Sequence, residues 1–324
     1  MWPSDEMVFS IMKHEIPKKC LCYLQGGILI KNSKLTKVRI NNKDNYKVGI
    51  LFIIISSICF ALIAVMVKYL RHLPLMEIIF FRTLPAMIII PILLKKMHIP
   101  FLGNNKPVLW FRGFLGITTE LTKYYTFTVM LLADASTIQK LSPFFVFFLS
   151  GILLKEKLSF RQIPLFLFAF LGGILVIKPG LRIDMFPVII ALIAAIFIAV
   201  SDITLRYLRL TDHYLVIINY FTYIGSLVSF LILLLQKSFK IPSPSDLLIL
   251  ILLGLVSLTA QITLTKAYQM APANLISLYT YSQIIFVSLF GLMFFKEIPD
   301  LLSIIGVIFI IISGYLNYKW KVKD

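Results

Sequence analysis

Cysteine is scarce. The chain has three in 324 residues, Cys20, Cys22 and Cys59. So few thiols cannot build the disulfide framework of a small secreted domain. Cys20-Leu21-Cys22 has no histidine at ligand spacing, so a tetrahedral metal site is not expected there. The four histidines, at 14, 72, 98 and 213, stand in the polar N-terminal stretch or where apolar runs end. H-E-x-x-H, G-x-S-x-G and G-x-x-x-x-G-K-[ST] are all absent. Zinc-peptidase, serine-hydrolase and P-loop ATPase chemistries therefore lack their signatures. No nucleophile is placed beside a base. The chain is not expected to be an enzyme or to need a cofactor; a membrane-embedded enzyme of unknown chemistry is the alternative reading.

Acidic residues are also few, 15 against 32 Lys and Arg, for a formal net charge of +17. The cations gather before residue 48 and at the ends of apolar runs. That distribution sets membrane topology and does not make a nucleic-acid surface. No nucleic-acid partner is expected.

Apolar residues are abundant: 59% of the chain, with a mean hydropathy of +0.91. Soluble domains hold about 45–50%. The partner implied is a lipid bilayer. Residues 1–47 are polar, and their one apolar run, CLCYLQGGILI, falls short of the roughly 20 residues a span needs. They read as a cytoplasmic tail with no cleavage site for a signal peptide.

From Val48 onward ten apolar runs predict helices over 48–67, 74–94, 108–130, 133–154, 162–178, 184–205, 213–235, 246–266, 272–295 and 299–318. Backbone groups in lipid must bond within their own segment, so these runs have no option but helix. The fold class expected is an all-α membrane protein. Lys and Arg outside the runs lie mainly on the side of the N-terminus, which puts both termini in the cytoplasm. The localisation expected is multi-pass in the cell inner membrane.

An internal repeat underlies the pattern. Lys155-Glu156 recurs as Lys296-Glu297, Gly173 as Gly314, Lys123-Tyr124-Tyr125 as Lys266-Ala267-Tyr268, and VKYL (67–70) as LRYL (205–208). Two five-helix halves, 48–178 and 184–318, with a short tail at 319–324, follow from these offsets. Five is odd, so the second half is inverted. Inverted repeats are a recurring plan of secondary transporters, with the solute site near the bilayer midplane.

The stretch from Trp110 to Gly180 resembles the EamA domain of the drug/metabolite transporter superfamily. The matching parts are Arg112-Gly113, Ala133-Asp134-Ala135, Ser142-Pro143, Lys155-Glu156-Lys157 and Phe81-Arg82. Ala271-Pro272-Ala273 and Phe295-Lys296-Glu297 repeat the turn and the close more loosely, and the ninth run has no Ser-Pro. The resemblance spans about residues 48–318. It implies a ten-helix carrier for small organic solutes such as amino acids or S-adenosylmethionine, with both ends inside. Substrate, direction and oligomeric state stay open.

Ionisable residues inside spans cost about 2.5–3.5 kcal/mol each on insertion scales and are candidates for function. Arg82 lies deep in the second run without an obvious local partner. Arg112 is near the inner end of the third, where reaching to the headgroups is the simpler expectation. Asp202 and Arg206, four apart, are expected to pair. Glu120 lies roughly 18 Å into the third run and Lys140 roughly 10 Å into the fourth, at a rise of 1.5 Å per residue. The two would sit level on facing polar stripes. Pro143 removes a backbone bond, and the carbonyl freed near Gln139 needs a partner or a cavity. Arg82, Glu120, Gln139, Lys140 and Pro143 are the expected solute-binding residues. A solute carboxylate or phosphate competing for Lys140 would free Glu120 to take a proton, which is how proton coupling would arise. A static ion pair holding the hairpin is the other reading of the same two residues.

Overall fold

The computed structural model describes residues 45–129, 138–157, 159–177, 185–236, 239–296 and 301–322. The N-terminal tail, Ala133–Ala135, Ser136 and Glu297 lie outside them. The described helices belong to one compact unit, Asn41–Asp324. They are α1 (Tyr46–Tyr69), α2 (Leu75–Lys96), α3 (Lys106–Val129), α4 (Ser142–Leu153), α5 (Gln162–Ile177), α6 (Met185–Leu208), α7 (Tyr214–Gln236), α8 (Pro244–Met270), α9 (Ala273–Tyr279), α10 (Ser282–Phe295) and α11 (Leu301–Val322). No strand occurs among the described residues.

Among the described residues, seven spans are long and apolar enough to cross a membrane: α1, α2, α6, α7, α8, α11, and α9 with α10 as one. Large apolar side chains such as Leu227, Leu234, Ile251 and Ile311 face outward from these helices, as a lipid surround requires. Of the other predicted spans, α3 has the length but carries Arg112, Glu120 and Lys123, while α4 and α5 are short.

Helix ends follow local chemistry. Asn45 accepts from the Val48 N–H at the start of α1, and Ser243 accepts from the Asp246 N–H at the start of α8, with Pro244 next. The predicted runs extend by a few residues: the eighth, expected over 246–266, is helical from Pro244 to Met270.

Helices from the two parts of the chain pack on one another. Helix α1 packs on α8 and α10, α2 on α7 and α8, α3 on α6 and α7, α4 on α6 and α9, and α5 on α11. Exchanging α1–α5 for α6–α11 in order, with α9 and α10 counted as one, leaves these most extensive pairs unchanged; the smaller contacts of α8 with α6 and with α7 have no exchanged counterpart of similar extent among the described residues. The α5–α11 pair depends on small residues. A Cβ at Gly172 would lie 2.6 Å from the Gly306 carbonyl oxygen, so only glycine permits that backbone approach.

The largest difference from the sequence reading concerns two spans that are broken. The fourth run was expected as one helix over 133–154, with Pro143 inside it. In the structure Lys140 and Leu141 form a turn and α4 starts at Ser142. Pro143 thus falls in a first turn, where its missing N–H costs nothing. The ninth run was expected as one helix over 272–295, yet it turns at Thr280–Tyr281 between α9 and α10. No proline is needed there. The Thr280 hydroxyl bonds the Ser277 carbonyl at 2.7 Å and the Ser282 hydroxyl bonds the Tyr279 carbonyl at 2.7 Å, local bonds that compete with the helical ladder.

Candidate functional site

The two breaks meet. Lys140 Nζ donates to Gln283 Oε1 at 3.0 Å, and the Tyr281 hydroxyl donates to the Lys140 carbonyl at 2.8 Å. A carbonyl left open by the first break is therefore satisfied from the second. Gln139, one residue earlier, is buried and donates to the Thr126 hydroxyl of α3 at 3.0 Å. Lys140 and Gln283 are 143 residues apart, the offset that also relates Lys123 to Lys266. The repeat pointed to Gln283, but a glutamine opposite a lysine does not register as a repeated motif.

Glu120 is not the partner of Lys140. Arg82 Nη1 donates to Glu120 Oε2 at 2.6 Å, with side-chain exposures of 6% and 13%. Arg82 thus has the close partner that the sequence did not reveal, because α2 and α3 bring it there from 38 residues away. At this depth the ion pair is charge-assisted and poorly screened.

Asp202 and Arg206 do not pair as expected. The Tyr268 hydroxyl of α8 donates to Asp202 Oδ2 at 3.0 Å, and Arg112 and Lys140 lie within electrostatic range of the same carboxylate. Arg206 Nε instead donates to Glu156 Oε1 at 3.0 Å. Glu156 also accepts the backbone N–H groups of Ala273 at 3.1 Å and Asn274 at 3.3 Å. One carboxylate joins the end of α4, α6 and the first turn of α9. The sequence reading treated it only as the close of a helix.

Arg112 does not reach outward. It is 4% exposed, and its Cζ lies 5.2 Å from the centre of the Phe221 ring on α7. The other face of this region is a cavity of about 10 Å³ between α2, α7 and α8, lined by Arg82, Thr83, Phe221, Thr222, Ser257 and Gln261 among others. That is space for about one water. Of the five expected binding residues, Arg82 alone lines it. Thr83 accepts a 2.7 Å bond from the Ser226 hydroxyl, which ties α2 to α7 at the cavity wall. Thr222, Ser257 and Gln261 were missed because single hydroxyls and amides in long apolar runs give no spacing signal.

The chemistry of this interior is cationic. Arg82, Arg112, Lys123 and Lys140 stand against Glu120 and Asp202. No group of His, Cys, Asp and Glu among the described residues could hold a metal ion. The arrangement can bind and neutralise an anionic group.

Comparison with known proteins places this architecture. The pseudopaline exporter CntI of Pseudomonas aeruginosa strain UCBPP-PA14 is 30% identical over 274 residues, covering 83% of this chain and 95% of its own. Solute carrier family 35 member G1 of Mus musculus is 29% identical over 290 residues, 84% of this chain and 79% of its own. The S-adenosylmethionine uptake transporter of Rickettsia prowazekii strain Madrid E is 25% identical over 275 residues, 82% and 90%. A solved crystal structure shares the fold, with a TM-score of 0.77 at 14% identity, over 86% of this chain and all of the other. The three sequence relatives carry transport names: an exporter, a solute carrier and an uptake transporter. The EamA-like transporter family matches residues 47–178 and again 185–319, and this multi-pass membrane chain belongs to it.

Proposed function

We propose that the protein is a secondary transporter that moves a small anionic or zwitterionic organic metabolite across the cytoplasmic membrane by alternating access. In this reading ten spans form two inverted five-helix repeats, and both termini are cytoplasmic. The observation that carries it is the meeting of two interrupted helices, held by the Lys140–Gln283 and Tyr281–Lys140 bonds. Broken helices at the junction of repeats are where carriers hold solute, because unwound backbone is tolerated there and polar groups converge. The exchange symmetry of the most extensive helix contacts supports the repeat. The excess of buried cations favours a solute with a carboxylate or phosphate.

The relatives include both an exporter and an uptake transporter, so family membership leaves direction to experiment. S-adenosylmethionine, the solute of the uptake transporter, carries an amino-acid carboxylate that a buried cation could hold, although its sulfonium and ammonium make it a net cation. Glu120, paired with Arg82, is the carboxylate placed to couple protons, since a solute anion competing for the guanidinium would release it.

Uptake and counterflow in proteoliposomes test the reading. Saturable entry of an anionic or zwitterionic metabolite without ATP is the expected result. A solute that is chemically converted, or a folded protein that moves none of a broad metabolite panel, would overturn it.

A further inference from the structure

We propose that Arg112 is the anchor for the substrate's carboxylate, and that Phe221 is the movable wall between it and the polar cavity. This deepens the carrier reading and rests on it. Arg112 Nε and Nη1 are buried with no hydrogen-bond partner among the described residues. An arginine does not lose its charge by giving up a proton, so an uncompensated buried guanidinium is costly unless an anion completes it in another state. Arg82, the other deep arginine, is already engaged by Glu120 at 2.6 Å. Asp202 and Glu120 lie within electrostatic range of Arg112, but neither makes a hydrogen bond to its two unpartnered nitrogens.

The position of the guanidinium is built. A Cβ at Gly116 would lie 2.7 Å from Arg112 Nη1 and 2.6 Å from the Phe221 ring. Only glycine leaves room for the guanidinium and the ring to lie together. Phe221 lines the cavity that Thr83, Thr222, Ser257 and Gln261 also line. With the ring in place, the cavity holds about a water's volume, about 10 Å³. The Phe221 ring touches both Arg112 and this pocket, so in this proposal the helix movements of the transport cycle that displace the ring open the pocket to Arg112. The hydroxyls and amide then meet the solute's neutral polar groups, and Arg112 meets its carboxylate through charge-assisted bonds. Because two carboxylates already stand near, a singly charged carboxylate fits better than a phosphate dianion.

The test uses full-length protein and pairs of probes that differ by the carboxylate alone: S-adenosylmethionine and decarboxylated S-adenosylmethionine, L-histidine and histamine, L-phenylalanine and phenethylamine. Thermal stabilisation and proteoliposome uptake are measured for wild type, Arg112→Gln and Arg112→Lys. The expected result is that a carboxylate probe binds and enters while its amine partner does not. Arg112→Gln then binds roughly ten- to a hundredfold more weakly, the scale of a lost hydrogen bond to a charged group, and Arg112→Lys loses less. Without probe, Arg112→Gln melts no lower than wild type, because it removes an unsatisfied cation. If the amines enter as well as the acids, or Arg112→Gln binds within threefold of wild type, the anchor is overturned and the carrier stands. If Arg112→Gln fails to fold, the side chain holds structure and the anchor is again overturned. If neither class binds or moves, both readings fall.

Discussion

The Tyr281 hydroxyl donates to the Lys140 carbonyl at 2.8 Å across 141 residues of chain. One interrupted helix thereby supplies the hydrogen bond that the other lost. Tyr281 is fully buried, so no water stands ready to replace it. Tyr281→Phe should lower unfolding stability by about 1–2 kcal/mol, the penalty for a buried acceptor left unsatisfied. Thermal or SDS unfolding of the purified protein measures this. A variant as stable as wild type would mean that the carbonyl finds another donor.

The Arg82–Glu120 pair predicts a specific pattern of energies. Arg82→Met and Glu120→Gln should each destabilise by about 3–5 kcal/mol, because each breaks a buried ion pair by removing one half of it. The variant carrying both changes should recover much of that loss. A double-mutant cycle on unfolding measures the coupling. If the single effects simply add, the 2.6 Å contact contributes nothing of its own.

Glu156 ties three elements with one carboxylate: Arg206 on α6 and the Ala273 and Asn274 N–H groups of α9. Glu156→Gln keeps the shape but removes the charge from these bonds. It should destabilise by about 2–3 kcal/mol, since hydrogen bonds to charged groups are worth about 1.5–3 kcal/mol. It should also raise the labelling of a cysteine introduced at Asn274, a position buried in this conformation. Unchanged labelling would show that the tie does not hold this end closed.

Topology gives the fourth expectation. With ten spans, reporter fusions at Lys47 and Lys321 both report the cytoplasmic side. One inside and one outside would require an odd number of spans and remove the five-plus-five repeat.

Much of the helical layout was legible in order along the chain. Ten apolar runs bounded by charge or proline fall close to the helices found, because burial of backbone in lipid leaves a run of that length one conformation. The breaks were half legible. Ser142-Pro143 marked the fourth span, but the ninth breaks at hydroxyls that look harmless in sequence. Proline alone does not mark a break: Pro85 and Pro91 sit inside α2 without ending it, within the run predicted over 74–94. Pro85 instead packs against Gly254 of α8, where a Cβ would collide with its ring.

The candidate site was legible in residue type and not in pairing. Arg82, Glu120 and Lys140 stood out because charge in a span is costly. Their partners did not. Spacing along a helix suggested Asp202 with Arg206, and depth suggested Glu120 with Lys140; the structure pairs Arg206 with Glu156, Glu120 with Arg82 and Lys140 with Gln283. The sequence by itself determined that the chain is helical, membrane-spanning and internally repeated, because hydropathy and charge act locally and each run carries its own signal. Tertiary structure alone decided which charges meet, where the ninth span breaks and that Arg112 lies buried against Phe221. Those outcomes depend on how helices far apart in the chain pack, and a run of apolar residues carries almost no record of what will face it.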